Sequence, residues 1–250
     1  MQQGNIYHTI IKKTNSKQKQ LAVLLDPDFS TSKSLLNIIQ LANEYDIDYF
    51  FVGGSLLTGG DLDKTISFIK NNSVIPIILF PGHYSQINAK ADGILLLSLV
   101  SSRNAELLIG QHVTAAPYLK QSKLEILSTA YLLIDGGKIT TASYISNSMP
   151  IPNDKPDIAA STAMAAEMLG MGLTYLDAGS GATHPVSKEM IQKVKANTNN
   201  PLIVGGGITS VKKVTDALSA GADIAVIGNA FEKNPQLLVD IAKAVEKLNG

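Results

Sequence analysis

Ile203-Val204-Gly205-Gly206-Gly207-Ile208-Thr209-Ser210 and, one helix-length later, Ala222-Asp223-Ile224-Ala225-Val226-Ile227-Gly228-Asn229-Ala230 decide the fold. Each stretch is a short, β-rich apolar run that ends on glycine and turns into a helical pattern. Glycine lets the backbone approach an oxygen atom with no Cβ in the way. The amides that follow, at a helix N-terminus, favour an anion. In a (β/α)₈ barrel the phosphate site commonly sits after strands seven and eight. Glycines that merely permit tight turns are the plainer alternative, but two such endings in consecutive strands favour a phosphate.

Upstream, six further runs have the same character: Leu21–Leu25, Tyr49–Val52, Val74–Phe80, Gly93–Leu97, Tyr131–Ile134 and Leu173–Leu176. With Leu202–Val204 and Ile224–Ile227 they make eight. Most are continuously apolar rather than alternating, as strands buried on both faces of a parallel sheet are. Amphipathic patterns over Ser34–Tyr45, Ser161–Gly170, Ser187–Asn197, Val211–Ala220 and Pro235–Leu248 alternate with them. Strand and helix in alternation give right-handed crossovers and a parallel sheet. The predicted fold is α/β, a closed (β/α)₈ TIM barrel with room for one irregular or modified βα unit. No linker divides the chain, so residues 1–250 read as one domain. The stretch Asp135–Asp157, rich in Pro, Ser, Thr and Asn, reads as a long βα loop on the active-site face or as a tolerated surface insertion.

Composition narrows the function. The 250 residues are 45% hydrophobic, with formal net charge +0 and pI ≈ 6.9, so there is no general nucleic-acid footprint. The absence of cysteine excludes disulfides and thiolate metal sites and fits a cytoplasmic protein. Apolar runs are interrupted before they reach membrane-spanning length, so no stable membrane insertion is expected. Lys12, Lys13, Lys17 and Lys19 read as a solvated helix face rather than an anion site. Arg103 is the only arginine. Phosphate must therefore be held by backbone amides, helix N-termini, lysine or a metal, not by clustered guanidinium groups.

Four strand ends carry candidate chemistry. The sixth reads Tyr175-Leu176-Asp177-Ala178-Gly179-Ser180-Gly181, an acid beside an amide-rich loop. Asp177 can accept a proton or orient a hydroxyl, although alone it reads as a turn cap. The first ends Leu25-Asp26-Pro27-Asp28, oxygen donors suited to Mg²⁺; Asp28 is better read as a turn residue or a helix N-terminal charge. The second ends Gly53-Gly54-Ser55, whose hydroxyl can touch a metal or a phosphate. The third ends Phe80-Pro81-Gly82-His83, where His83 has no compelling role by itself.

Together these segments resemble the geranylgeranylglyceryl phosphate synthase family, which includes the heptaprenylglyceryl phosphate synthases. The likeness runs from Leu21 to about Phe231 and also takes in Ile109-Gly110-Gln111-His112 and Ala166-Glu167-Met168-Leu169-Gly170-Met171. The Tyr175–Gly181 segment combined with Leu25–Asp28 is its most specific part. The resemblance implies a Mg²⁺-dependent prenyltransferase that joins the 3-hydroxyl of sn-glycerol 1-phosphate to a prenyl diphosphate, geranylgeranyl diphosphate being the expected donor, and releases pyrophosphate. It implies Mg²⁺ at Asp26 and Ser55. It implies glycerol phosphate at Tyr175, Leu176, Asp177, Ala178, Gly179, Ser180, Gly181, Gly206, Gly207, Gly228 and Asn229, with Asp177 as catalytic base. It also implies a homo-oligomer, dimer or hexamer. Many members carry Glu where this chain has Asp177, so its acid is one methylene shorter. On the residues alone, a sugar-phosphate isomerase or aldolase, a flavin-binding barrel and a non-catalytic phospholigand-binding barrel stay open. An aldolase, however, would want a Schiff-base lysine at a strand end, and Lys138 lies beyond the fifth strand in a polar loop.

Overall fold

The computed structural model of the chain describes residues 5–28, 32–228 and 230–250. Eight parallel strands close into a barrel in sequence order, each paired with the next and the last with the first. They are β1 (Gln20–Leu25), β2 (Tyr49–Val52), β3 (Ile77–Leu79), β4 (Gly93–Leu99), β5 (Glu125–Leu133), β6 (Leu173–Asp177), β7 (Leu202–Gly205) and β8 (Ile224–Ile227). The helices are α1 (Asn5–Asn15), α2 (Ser32–Glu44), α3 (Leu62–Asn72), α4 (Gln111–Ser122), α5 (Thr141–Ser146), α6 (Pro156–Met168), α7 (Lys188–Asn197), α8 (Val211–Ala220), α9 (Ala230–Lys233) and α10 (Gln236–Asn249).

Side chains alternate along a strand, so each strand feeds two cores. Tyr49, Phe51, Ile78, Leu127, Leu173, Tyr175, Ile203 and Val226 fill the barrel interior, joined by Ile6 and Ile10 of α1. Phe50, Val52, Leu79, Leu132, Leu176 and Val204 face outward and pack with helix residues such as Ile39, Ile66, Ala163, Ile191 and Leu218. Both faces are buried, which is why the strands read as unbroken apolar runs. The same alternation puts Asp177 on the face of Leu173 and Tyr175 and Asp26 on the face of Ala22 and Leu24. Both acids thus belong to the inner face, at the C-terminal end of the barrel.

Several boundaries differ from the sequence reading, and four of the differences have a clear local reason. Strand β3 begins only at Ile77, because Pro76 lacks a ladder N–H and Val74 is 98% exposed. Strand β5 begins six residues before Tyr131, since Glu125–Ala130 pairs with β4 in full register. Helix α6 begins at Pro156, ahead of Ser161, because proline fits the first helical turn. The stretch Asp135–Asp157 is ordered rather than irregular: Thr140 opens α5 with a capping box, and Ile151 bridges Ile134. Among the N-terminal lysines, Lys12 and Lys17 are exposed on or beside α1, whereas Lys13 pairs with Asp48 and Lys19 bonds the Ala222 carbonyl.

The irregular βα unit is the third. Between β3 and β4, residues 80–92 form only a 3₁₀ turn, Tyr84–Gln86, where a barrel normally inserts a helix. The outward side chains Ile77, Leu79 and Ile94 are nonetheless buried. Helix α4, preceded by a π turn at Glu106–Gly110, stands across the gap. Among the described residues no helix is long and apolar enough to cross a membrane.

Candidate active site at the C-terminal mouth of the barrel

Asp177 ends β6 and is 6% exposed. One carboxylate oxygen, Oδ2, accepts the Tyr131 hydroxyl at 2.6 Å; the other accepts the Gly179 N–H at 2.7 Å. Burial raises its pKa above the ordinary carboxylate value, and these two donors offset part of the rise. Tyr131 and Tyr175 are held neutral, since burial and then the Asp177 charge push both phenols well up. The rings form one aromatic wall. Tyr175 stacks on Phe80 with centroids 5.4 Å apart, and Tyr131 meets Tyr175 edge-on at 5.5 Å. The arrangement is a partly desolvated carboxylate with a raised pKa, the environment of a general base.

The glycine strand ends lie beside it. Gly206 has φ +79, and a Cβ there would sit 2.5 Å from the Gly179 nitrogen and 2.6 Å from Asp177 Oδ1. Only glycine lets the β7 loop press onto the β6 loop. Gly228 is different. Its φ is not in the left-handed region, and the nearest atom to a Cβ would be Leu24 Cδ2 at 3.8 Å. Neither backbone conformation nor packing requires glycine there, so what its small size preserves is free space. Lys213 closes the back of the β7 loop by donating to the Gly207 carbonyl at 2.8 Å. Lys138 reaches over the β6 loop, with Nζ 3.4 Å from where a Gly181 Cβ would be.

Asp26 lies across the mouth, half-buried. Its Oδ1 accepts the Asp28 N–H at 3.0 Å, and Oδ2 would be 3.3 Å from a Cβ on Gly54, the residue before Ser55. Burial raises its pKa, the Asp28 N–H lowers it, and the Asp28 charge raises it again. A cation beside it would relieve that desolvation. Among the described residues no three His, Cys, Asp or Glu side chains cluster to hold a metal. One carboxylate and one hydroxyl nevertheless suit Mg²⁺, which keeps several waters and takes substrate phosphate oxygens as ligands. Asp28 is not available as a ligand. Its carboxylate accepts the N–H groups of Thr58, Gly59 and Gly60 and the Thr58 hydroxyl, which hold its pKa down at about 2.

Beside Tyr131, the partner of Asp177, opens an apolar cavity of about 400 Å³. Its mouth is formed by Gly54, Ser55, Phe80, His83 and Tyr131. Its walls are Leu96 and Leu97 of β4, Leu107 of the π turn, Ala115 and Leu119 of α4, and Ile145 of α5. The space exists because the third βα unit lacks its helix.

The sequence matches the model of the PcrB family over residues 13–246. The chain belongs to the PcrB family. The geranylgeranylglyceryl phosphate synthase of Spirosoma linguale is 53% identical over 94% of this chain and 94% of its own. That of Chitinophaga pinensis is 48% identical over 97% and 96%. Among solved structures, (S)-3-O-geranylgeranylglyceryl phosphate synthase from Thermoplasma acidophilum, in complex with its substrate sn-glycerol-1-phosphate, superposes with a TM-score of 0.91 at 32% identity. The likeness covers 98% of this chain and 99% of that one.

In this PcrB-family chain the fold brings Tyr175, Asp177, Ala178, Gly179 and Gly206 into contact, and Asp26 beside Gly54. Gly181 and the exposed Ser180 lie on the same β6 loop; Gly207 and Gly228 follow the next two strands, and Leu176 faces outward into the core. Asn229 lies outside the described residues. Lys138 is an exposed loop residue, not a strand-end amine. Arg103 is tied to the Val100 and Ser102 carbonyls. His83 caps the 3₁₀ turn, its Nδ1 accepting the Ser85 N–H at 3.3 Å. Sequence reading missed Tyr131, the partner of Asp177, and the cavity. Tyr131 carried a weak signal, since it stands at the same inward parity as Asp177 on the neighbouring strand. The cavity carried one too: Phe80–Asp92 contains Pro81-Gly82 and no helical periodicity.

Proposed function

We propose that this protein transfers a prenyl group from a prenyl diphosphate to the 3-hydroxyl of sn-glycerol 1-phosphate. The observation that carries the reading is the apolar cavity, whose mouth includes both Ser55 and Tyr131, the latter bonded to Asp177. One substrate needs a long apolar slot with a charged head, the other an anion site beside a base, and the cavity reaches the loop after β2 at Ser55 and the Asp177 partner Tyr131. The family membership and the glycerol-phosphate complex of the Thermoplasma acidophilum relative support the same acceptor.

In this reading the phosphate of the acceptor lies against the loops at Gly179–Gly181, Gly206–Gly207 and Gly228–Asn229, held by backbone amides rather than arginine. Positioning of this kind supplies several kcal/mol, up to about 7–11 in favourable cases. The 3-hydroxyl oxygen bonds the allylic carbon, the diphosphate leaves with the electron pair of the broken C–O bond, and Asp177 takes the hydroxyl proton. Tyr131 holds the Asp177 carboxylate in place. Asp26 and Ser55 would hold Mg²⁺, which offsets the charge of the departing diphosphate. The cavity takes the prenyl tail and excludes water from the allylic centre; its volume lies within the range of about 300–1,000 Å³ typical of small-molecule sites. Geranylgeranyl diphosphate is the proposed donor, and the assembly is proposed to be homo-oligomeric.

The test is incubation of labelled sn-glycerol 1-phosphate with prenyl diphosphates of increasing length, with Mg²⁺ and with chelator. A labelled lipid-soluble product that requires Mg²⁺ and is lost in Asp26→Ala is expected. No product with any donor would sink the reading, and preference for a heptaprenyl donor would overturn the chain length.

A further inference from the structure

The segment Asp26-Pro27-Asp28 contains two carboxylates with separate work. Asp28 points away from the mouth and into the loop that follows β2. Its Oδ2 accepts the Thr58 N–H at 2.6 Å and the Thr58 hydroxyl at 2.8 Å; its Oδ1 accepts the Gly60 N–H at 2.6 Å and the Gly59 N–H at 3.3 Å. Three successive amides turned onto one anion form a nest, and here the anion is the chain's own side chain. The docking is also steric. A Cβ on Gly60 would overlap the Pro27 carbonyl and the Asp28 nitrogen, so the two loops touch backbone to backbone.

The other end of the loop is fixed as well. Gln86 donates to the Gly54 carbonyl at 3.0 Å and accepts the Gly82 N–H at 3.1 Å, and a Cβ on Gly82 would overlap the Gly54 and Ser55 carbonyls. Ser55 therefore sits on a strap held at two points. One is the Gln86–Gly82 turn; the other is Asp28, two residues from Asp26. Ser55 is half-exposed and has no helix or strand of its own to set its position.

We propose that Asp28 is a positioning residue for the cation site: it clamps the strap at Thr58–Gly60 and so fixes Ser55, the residue after Gly54, whose backbone lies against the Asp26 carboxylate. The inference rests on the reading of Asp26 and Ser55 as holders of a divalent cation. A site with only two protein ligands depends on their mutual placement, and groups that orient metal ligands commonly contribute about 10–100-fold to affinity.

Mn²⁺ binding to the full chain, measured by calorimetry and electron paramagnetic resonance, tests it. Asp28→Asn puts an amide N–H₂ against the loop N–H groups, and the Mn²⁺ dissociation constant should rise at least tenfold. Gly60→Ala keeps every carboxylate and disturbs only the docking, and it should weaken Mn²⁺ in the same direction. The dissociation constant for sn-glycerol 1-phosphate should stay within twofold of wild type in both variants, which a general loss of structure would not allow. Wild-type Mn²⁺ affinity in Asp28→Asn, in a background where Asp26→Ala has lost it, overturns the clamp and leaves the cation reading standing. Weak binding in Asp28→Asn with normal binding in Gly60→Ala also overturns it, since Asp28 would then act through charge and not through the strap. Unchanged Mn²⁺ binding in Asp26→Ala is the separate outcome that removes the cation site itself.

Discussion

Asp177 shows how one carboxylate is tuned by its neighbours. Its folded pKa is raised, so the native state holds the proton more tightly than the unfolded chain does. Ionised Asp177 therefore costs stability, and that cost disappears as pH falls through the raised pKa. A base must be ionised, so kcat/KM should fall on the acid side at a pH above the ordinary carboxylate value of 3.8. Asp177→Asn should lower turnover on the order of 10²–10⁴-fold with little change in glycerol-phosphate affinity. Equal loss of affinity and melting temperature would instead mark a structural acid. Tyr131→Phe removes the hydrogen bond that favours the carboxylate. The acid limb of its pH–rate profile should then shift to higher pH, whereas an unchanged or lower midpoint would separate Tyr131 from the proton transfer. Gly228→Val puts a branched side chain into space that no protein atom fills. Calorimetry should show glycerol-phosphate binding at least tenfold weaker in a protein that still melts like the wild type.

At the scale of elements, the missing third helix matters more than the helices that are present. Where it is missing, α4 both packs on the core through Ala115 and Leu119 and forms a wall of the cavity. Ala115 lies on that wall, buried and small. Ala115→Phe should fill the slot and shift the donor preference toward shorter prenyl chains, read from product lengths in a mixed-donor competition. An unchanged product distribution would place the tail elsewhere. The β6, β7 and β8 ends obey a different logic. Each is followed by a glycine loop at one side of the mouth, so the proposed anion site follows from strand order.

For the whole molecule, the barrel divides its labour between two ends. The N-terminal end is closed by α1, whose first turn donates the Ile6 and Tyr7 N–H groups to Glu125 at 2.8 and 2.7 Å. The C-terminal end holds the acids, the glycine loops and the cavity. Large apolar side chains remain on the surface beyond it, among them Ile109 (59% exposed) and Val113 (66%), one turn apart, and Tyr144 (76%). They are consistent with the proposed homo-oligomer. Light scattering at working concentration should give a dimer or a larger closed assembly, and a clean monomer would refute it.

The barrel could be read from residue order, because a strand buried on both faces must be apolar throughout and each such run announces itself. The glycine-ended strands were legible as well, and at Gly206 the tertiary structure explains the glycine, since a Cβ there would strike the β6 loop. Asp26 and Asp177 were legible as candidates because each ends an apolar strand, and each also takes the turn-capping role that the sequence offered, accepting the N–H two residues on. Asp28 was legible only as a turn residue, since nothing local says that its four donors come from Thr58–Gly60. Tyr131 lies 46 positions before Asp177, and only the parallel register of β5 and β6 brings the phenol to the carboxylate. The cavity had no local signature beyond a missing helical pattern. Its walls are leucines and alanines of β4 and α4 with the half-exposed Ile145 of α5, and only the tertiary structure brings them around one space.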